Sequence, residues 1–378
     1  MDANLLCVVC GAGDFSIAKS TLLTMIPESR FLFAPTKKLI SIAVLMLCVV
    51  AARADDETNA NDADAENQVL VVDTAFVAEA LQRGAIFWDT RTQDEFRKGH
   101  IPSAVNVGDP LRALRSDNSE DYLSHENIEE ILGSAGINPA KEIVVYGNKA
   151  APAAYFGIHT LQYFGADNVR VYHGGIDDWK QAGRPVTAQM VERTPVKLTL
   201  QQRLEMVIDT GEVLSKLDRS EVQILDVRTR AEFEGEDVRA LRGGHIVGAI
   251  NIPYERNFTG LSPRKPGAPP PVAKDALALK SEADLRALYA LLDPDKETIV
   301  YCQSGSRASV TTVVLKDLGF KNVRLYDGSW LAYGNTLDAP AEDVNFFNVG
   351  LYVSRMNALA KRVEELEKEL AAIKDGKK

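Results

Sequence analysis

Cysteine is nearly absent from this 378-residue chain. It has four, three of which (Cys7, Cys10 and Cys48) lie ahead of Val49, so Cys302 stands alone in everything that follows. One thiol cannot close an intrachain bridge, which excludes a disulfide scaffold. Positive charge is also short: 43 Lys and Arg against 53 Asp and Glu give a net charge of -10 and argue against nucleic acid as a partner. The apolar stretch from Leu39 to Val50 is twelve residues long, whereas about 20 are needed to span a bilayer. No His, Cys, Asp or Glu spacing suggests a metal site, and no cofactor is expected. What is there, 46% apolar and 25% charged residues, is the composition of a soluble globular protein with room for two domains.

Lys37 and Lys38, the apolar stretch and Ala52-Arg53-Ala54 predict a secretory signal peptide cleaved after Ala54. Residues 1–54 form this leader. Translation from Met25 would give it an ordinary length. Cleavage removes five basic and three acidic residues, taking the net charge from -10 to -12. The expected location is periplasmic or secreted, with no membrane contact after processing. Cys7 and Cys10 lack a partner pair and precede the signal, and Leu47 stands where a lipid-anchored Cys48 would need a small residue. The acidic segment 55–67 has almost nothing to bury and is expected to be disordered.

The rest of the chain is written twice. IFWDTRTQDEF at 86–96 returns as QILDVRTRAEF at 223–233, and GHIPSAVNV at 99–107 as GHIVGAINI at 244–252. KEIVVYGNKA at 141–150 returns as KETIVYCQSG at 296–305, and LQYFGADNVRVYHGGIDDW at 161–179 as LKDLGFKNVRLYDGSWLAY at 315–333. Two homologous domains follow, 68–187 and 203–340, joined by a linker at 188–202. Short apolar strands around 224, 250, 298–301 and 323–326 alternate with helical patterns at 281–292 and 308–318. The expected class is α/β, each domain a mainly parallel sheet with helices on both faces. A proline-rich insertion at 263–271 interrupts the second domain.

In such sheets ligands bind beyond the carboxyl ends of the strands, and Cys302 lies at one. Gly305 permits a tight arc there. Backbone amides in the arc and the start of the next helix form a nest for an anion or a thiolate, and Arg307 adds a full charge. An ordinary cysteine is only a few per cent thiolate at neutral pH. Shifting that by two pKa units takes about 2.7 kcal/mol, within reach of charge-assisted hydrogen bonds at about 1.5–3 kcal/mol each.

The paired DxRTxxEF, GHIPxA, strand-Cys-loop and LGxxNVxxYxGG/GSW blocks resemble the tandem-domain rhodanese sulfurtransferases. The resemblance covers nearly all of 68–340. It implies a persulfide on Cys302, with Gln303, Ser304, Gly305, Ser306 and Arg307 completing a six-residue substrate loop. It also implies small-molecule partners: a sulfur donor such as thiosulfate, and cyanide or a thiol as acceptor, with ping-pong kinetics. Related cysteine phosphatases use a longer loop in which arginine follows the cysteine after five residues; here Arg307 follows after four. In the first repeat Gly147 replaces Cys302 and Pro152 replaces Arg307, so that half is expected to be inactive and to wall the cleft.

Asp226 and Arg228 have echoes in Asp89 and Arg91, and His245 in His100, so their expected roles are structural, with Asp226 and Arg228 kept as supporting candidates. Tandem members commonly carry arginine where this chain has Glu232, and Arg242 is a candidate for the missing charge. Neutral Gln303 and Ser304 resemble the 3-mercaptopyruvate type, while Arg307 suits thiosulfate. A persulfide carrier with little turnover and a non-catalytic scaffold remain as alternatives.

The tail, 350–378, carries apolar residues at 352, 356, 359, 363, 366, 370 and 373, a heptad seam. Arg362 against Glu367 and Glu369 against Lys374 would pair across neighbouring helices. RVEELE at 362–367 resembles a motif of parallel three-stranded coiled coils, so 352–374 predicts a homo-oligomer, by preference a trimer.

Overall fold

The computed structural model describes residues 69–116, 121–260 and 277–375. The leader with its expected cleavage site, the acidic segment and the proline-rich insertion lie outside the described residues.

The first repeat runs β1 (Val71–Val72), α1 (Thr74–Arg83), β2 (Ile86–Asp89), α2 (Gln93–Lys98), β3 (Val105–Asn106), α3 (Pro110–Ala113), α4 (His125–Ser134), β4 (Ile143–Tyr146), α5 (Pro152–Tyr163), β5 (Val169–Tyr172) and α6 (Gly175–Gln181). Its strands pair in the order β1-β5-β4-β2-β3, all parallel. The strand side chains alternate between two buried clusters, Phe87, Val144 and Tyr146 on one face and Trp88, Ile143 and Val145 on the other. That is why these segments read as short continuous apolar runs. Side-chain caps start the helices: Asp73 accepts from the Phe76 amide, and Thr92 and Glu95 form a reciprocal capping box.

The second repeat gives α7 (Thr210–Lys216), β6 (Val222–Asp226), α8 (Arg230–Phe233), β7 (Arg242–Ile246), β8 (Ile250–Asn251), α9 (Glu282–Leu288), β9 (Glu297–Tyr301), α10 (Ser306–Asp317), β10 (Asn322–Leu325) and α11 (Ser329–Asn335). Four strands form a parallel sheet, β10-β9-β6-β8. β7 instead pairs antiparallel with β11 (Ala341–Phe346), a strand outside the repeated blocks that their pattern did not predict. A last helix, α12 (Val349–Asp375), follows.

The two repeats share a core. Val310 and Val313 of α10 belong to the same buried cluster as Tyr155 and Ile158 of α5, and burying an aliphatic side chain contributes about 1.5–3 kcal/mol. The Asp317 carboxylate accepts the Leu70 and Val71 amides at 2.8 and 3.1 Å, tying the end of α10 to β1. The linker lies along the first repeat, with Leu198 and Leu200 buried and the Val196 amide donating to the Gly133 carbonyl.

Candidate active site

Tyr301 ends β9 and Ser306 begins α10, so the chain must reverse between Cys302 and Gly305. Gly305 does this at φ 86, where a side chain would be strained: a Cβ there would stand 3.0 Å from the Asp327 carbonyl oxygen and 3.3 Å from a ring carbon of Phe156.

A serine in the β10–α11 turn braces the loop. Ser329 adopts φ 54, a left-handed conformation costly for a residue with a Cβ. Its Oγ accepts the amides of Cys302 at 3.1 Å and Gly305 at 3.0 Å while donating to the Tyr326 carbonyl at 2.7 Å. The Trp330 and Leu331 amides donate to the carbonyls of Cys302 and Gln303. Two of the amides expected to serve the nest are thus committed to Ser329. Among the described residues, the amides of Gln303, Ser304, Ser306, Arg307 and Ala308 find no protein acceptor. They gather at the N-terminal end of a 12-residue helix, whose dipole adds to the same positive field.

Cys302 continues the alternation of β9, falling with Val300 in the cluster that holds Leu225, Val227, Ile252 and Phe156. It is 1% exposed, while Ser304 and Ser306 are partly open above it. The thiol is therefore sequestered from bulk water at the foot of the loop.

Arg307 is committed as well. Its guanidinium makes a two-pronged pair with Glu232, both bonds 2.7 Å, while also lying within the electrostatic reach of Cys302. Burial pushes the Glu232 carboxyl up, but the Arg307 fork, the Thr229 amide and nearby Arg228 outweigh it and hold the group down at about 2. Glu232 thus stays charged, matching the loop arginine rather than merely omitting a family arginine. Arg239 also reaches Glu232, at 3.0 Å, with its side chain 51% exposed, and its carbonyl accepts Gln303 Nε2 at 2.9 Å. Arg239 thus shares Glu232 with Arg307 at the rim, while Glu255 is a second carboxylate acting on Arg307.

Arg242 corrects an expectation. It is neither solvated nor part of the loop: its guanidinium is buried and donates to the carbonyls of Thr336 and Ala339 at 2.8 and 2.7 Å, at the end of α11. Asp226 and Arg228 likewise hold the fold. They form a buried pair at 2.6 Å, and Arg228 donates to the Gly244 carbonyl at 2.7 Å; Asp89, Arg91 and Gly99 repeat the arrangement. His245 stacks on Phe233 with 3.5 Å between ring centroids, as His100 stacks on Phe96 at 3.7 Å.

The equivalent loop of the first repeat, Gly147 to Pro152, has the same backbone course without the chemistry. Ala150, at φ 59, stands where Gly305 does. Gly175, at φ 55, replaces Ser329. The Lys149 amide donates to Asp177 at 2.7 Å, the Lys149 ammonium pairs with Asp178 at 3.0 Å, both from α6 of the same repeat, and the Ala150 amide donates to the His173 carbonyl. Glu95 meets Asn148 at 3.3 Å where Glu232 meets Arg307. A cavity of about 650 Å³ opens there, lined in part by Glu95, Arg112 and Asn148.

The first repeat reaches into the second repeat's loop. Arg115, fully buried, pairs with Asp327 at 2.6 Å and lies over the rings of Tyr122 and Phe156 at 4.7 and 5.0 Å. Asp327 and Phe156 are the two groups that crowd Gly305. Sequence inspection missed this contact, Arg239 and Ser329. Only Ser329 left a signal, as the serine opposite Gly175 in the repeat.

A family model described as Rhodanese-like domain matches residues 73–182 and 209–336. The chain belongs to the rhodanese-like family, in tandem form. A thiosulfate sulfurtransferase of Corynebacterium glutamicum is 35% identical over 260 residues, covering 65% of this chain and 80% of that one. The sulfur carrier protein TtuD of Thermus thermophilus is 32% identical over 257 residues, 64% of this chain and 85% of its own. Among solved structures, the 3-mercaptopyruvate sulfotransferase SseA of Escherichia coli superposes with a TM-score of 0.58 at 26% identity, covering 70% of this chain and 99% of that one. The anaerobic ergothioneine biosynthesis enzyme of Chlorobium limicola shares the fold, with a TM-score of 0.61 at 22% identity over 72% of this chain and 69% of its own. The chemistry that goes with this family is sulfur transfer through a persulfide, and Cys302 is the free cysteine among the described residues.

Proposed function

We propose that the chain is a thiosulfate sulfurtransferase active in its second domain alone. The observation that carries this reading is the Cys302 loop, in which a lone cysteine precedes five amides that find no acceptor among the described residues, at a helix N-terminus. The Cys302 thiolate attacks the outer sulfur of thiosulfate. The sulfur–sulfur bond of the donor breaks, its electron pair leaves with sulfite, and a persulfide remains on Cys302. An acceptor thiolate or cyanide then attacks the outer persulfide sulfur, and the bond that breaks returns its electrons to Cys302. The loop amides and the helix end disperse the negative charge carried by sulfur at each stage. The exposed Arg239 guanidinium at the rim of the loop offers an anionic donor a partner, and the relationship to the Corynebacterium enzyme supports thiosulfate.

Neutral Gln303 and Ser304 favour 3-mercaptopyruvate as a second reading, and the likeness to TtuD favours a carrier that takes persulfide sulfur and turns over slowly. Steady-state kinetics with thiosulfate, 3-mercaptopyruvate and polysulfide separates them. The proposal requires ping-pong kinetics and the highest kcat/KM with thiosulfate; a slow rate with every donor despite persulfidation would replace it with the carrier. We also infer export to the periplasm or beyond, from the lysines, apolar stretch and small residues at 37–54. N-terminal sequencing of the mature protein should begin at Asp55.

A further inference from the structure

Every residue from Val349 to Lys374 is exposed, although α12 is 27 residues long. At 1.5 Å per residue it extends about 40 Å. A helix with a contiguous apolar stripe in water is a surface awaiting a partner. The stripe is regular. Met356, Val363 and Leu370 occupy one seam position and Tyr352, Leu359, Leu366 and Ile373 the other, each 46–60% exposed.

The helix is well anchored at its root. Asn348 caps it, its side chain accepting the Leu351 amide at 2.8 Å. Phe347 donates its amide to the Leu241 carbonyl, and its ring lies 5.5 Å from that of Tyr352. Exposed Leu241 and Phe346 extend the apolar stripe onto the β7–β11 ribbon.

We infer that α12 assembles with the same helix of two further copies of this chain, as a parallel three-stranded coiled coil. Flanking charges identify the occupant. Arg362 and Glu369 precede the seam where Glu367 and Lys374 follow it, so parallel copies in register place Arg362 beside Glu367 of the next helix and Glu369 beside its Lys374. Among the described residues of the single chain, Arg362 has only exposed contacts along its own helix, with Glu365 at 3.2 Å and Glu369 at 3.6 Å. Three strands suit the seam's width, because Val353 and Ala360 add apolar flank that a two-stranded coil leaves in water.

Sedimentation equilibrium of the full chain tests this. The expected mass is three protomers, falling to one in the Val363→Asp/Leu366→Asp variant with sulfur transfer retained, since both side chains are exposed in the protomer and far from the loop in sequence. Arg362→Glu should weaken the assembly, and adding Glu367→Arg should restore it. A monomer at every concentration overturns the inference, as does a dimer. So does a seam variant that lowers Tm without changing mass, which would mean the helix lies on its own domain, or an apolar face that binds phospholipid vesicles instead of its copies.

Discussion

The loops at 147–152 and 302–307 hang from equivalent strands, lead into equivalent helices and differ in what fills them. In the first, an internal carboxylate takes the Lys149 amide and a neutral asparagine meets Glu95. In the second, among the described residues, the amides of Gln303, Ser304, Ser306, Arg307 and Ala308 have no protein acceptor, and the partly buried Arg307 meets the equivalent glutamate. The backbone arc is therefore a property of the fold. The reactive loop is that arc with its internal ligands removed, a serine brace added and a cysteine placed first.

Transplanting the cysteine alone should fail, which is the largest contrast available. Cys302→Ser is expected to abolish sulfur transfer, and Gly147→Cys in that background should restore none of it in a donor assay. A Cβ at Gly147 would stand 2.9 Å from Thr90 Oγ1, and the amides of Lys149, Ala150 and Ala151 are already engaged by Asp177, His173 and Asn148.

Breaking the bridge between the repeats comes next. Arg115→Met leaves Asp327 without its arginine beside Gly305. Breaking a fully buried pair on one side costs about 3–5 kcal/mol; Asp327 is partly exposed and keeps the Gly328 amide, so chemical denaturation should show a loss below that range together with a fall in kcat.

Ser329→Gly gives the second loop the residue of the first while keeping a left-handed backbone accessible. It strips the acceptor from the Cys302 and Gly305 amides. An unsatisfied buried amide costs about 1–3 kcal/mol, so kcat/KM should fall by about tenfold or more, measured in the thiosulfate assay.

The glutamates separate by pH. Glu232 is nearly buried and sits at about 2 when folded, below its unfolded value. Its contribution is complete above the unfolded pKa near 4.3 and disappears as pH falls towards 2, an effect of about 3 kcal/mol. Glu232→Gln should flatten the acid limb of the stability curve measured by thermal unfolding. Glu95, opposite a neutral asparagine and more exposed, is lowered mainly by its Thr92 hydrogen bond. Glu95→Gln should change that limb least of all.

Much of this was legible because the chain repeats itself. Doubled blocks exposed the tandem α/β architecture, and the swap of Cys302 for Gly147 marked the half that keeps a cysteine. Contacts between repeats were not legible, since Arg115 and Asp327 lie 212 positions apart and neither belongs to a distinctive pattern. Arg242 misled because a buried arginine that caps a helix end and a solvated one at a site rim look alike in sequence. β11 was missed because AEDVNF is polar and edge-like, and becomes a strand by pairing with β7.

The measurement closest to the central claim is the intact mass of the protein after incubation with thiosulfate, followed by peptide mapping. The account predicts an adduct heavier by one sulfur atom, confined to the peptide carrying Cys302, lost on addition of cyanide and absent from Cys302→Ser. A wild-type chain that stays unmodified, or an adduct that survives in Cys302→Ser, would contradict it.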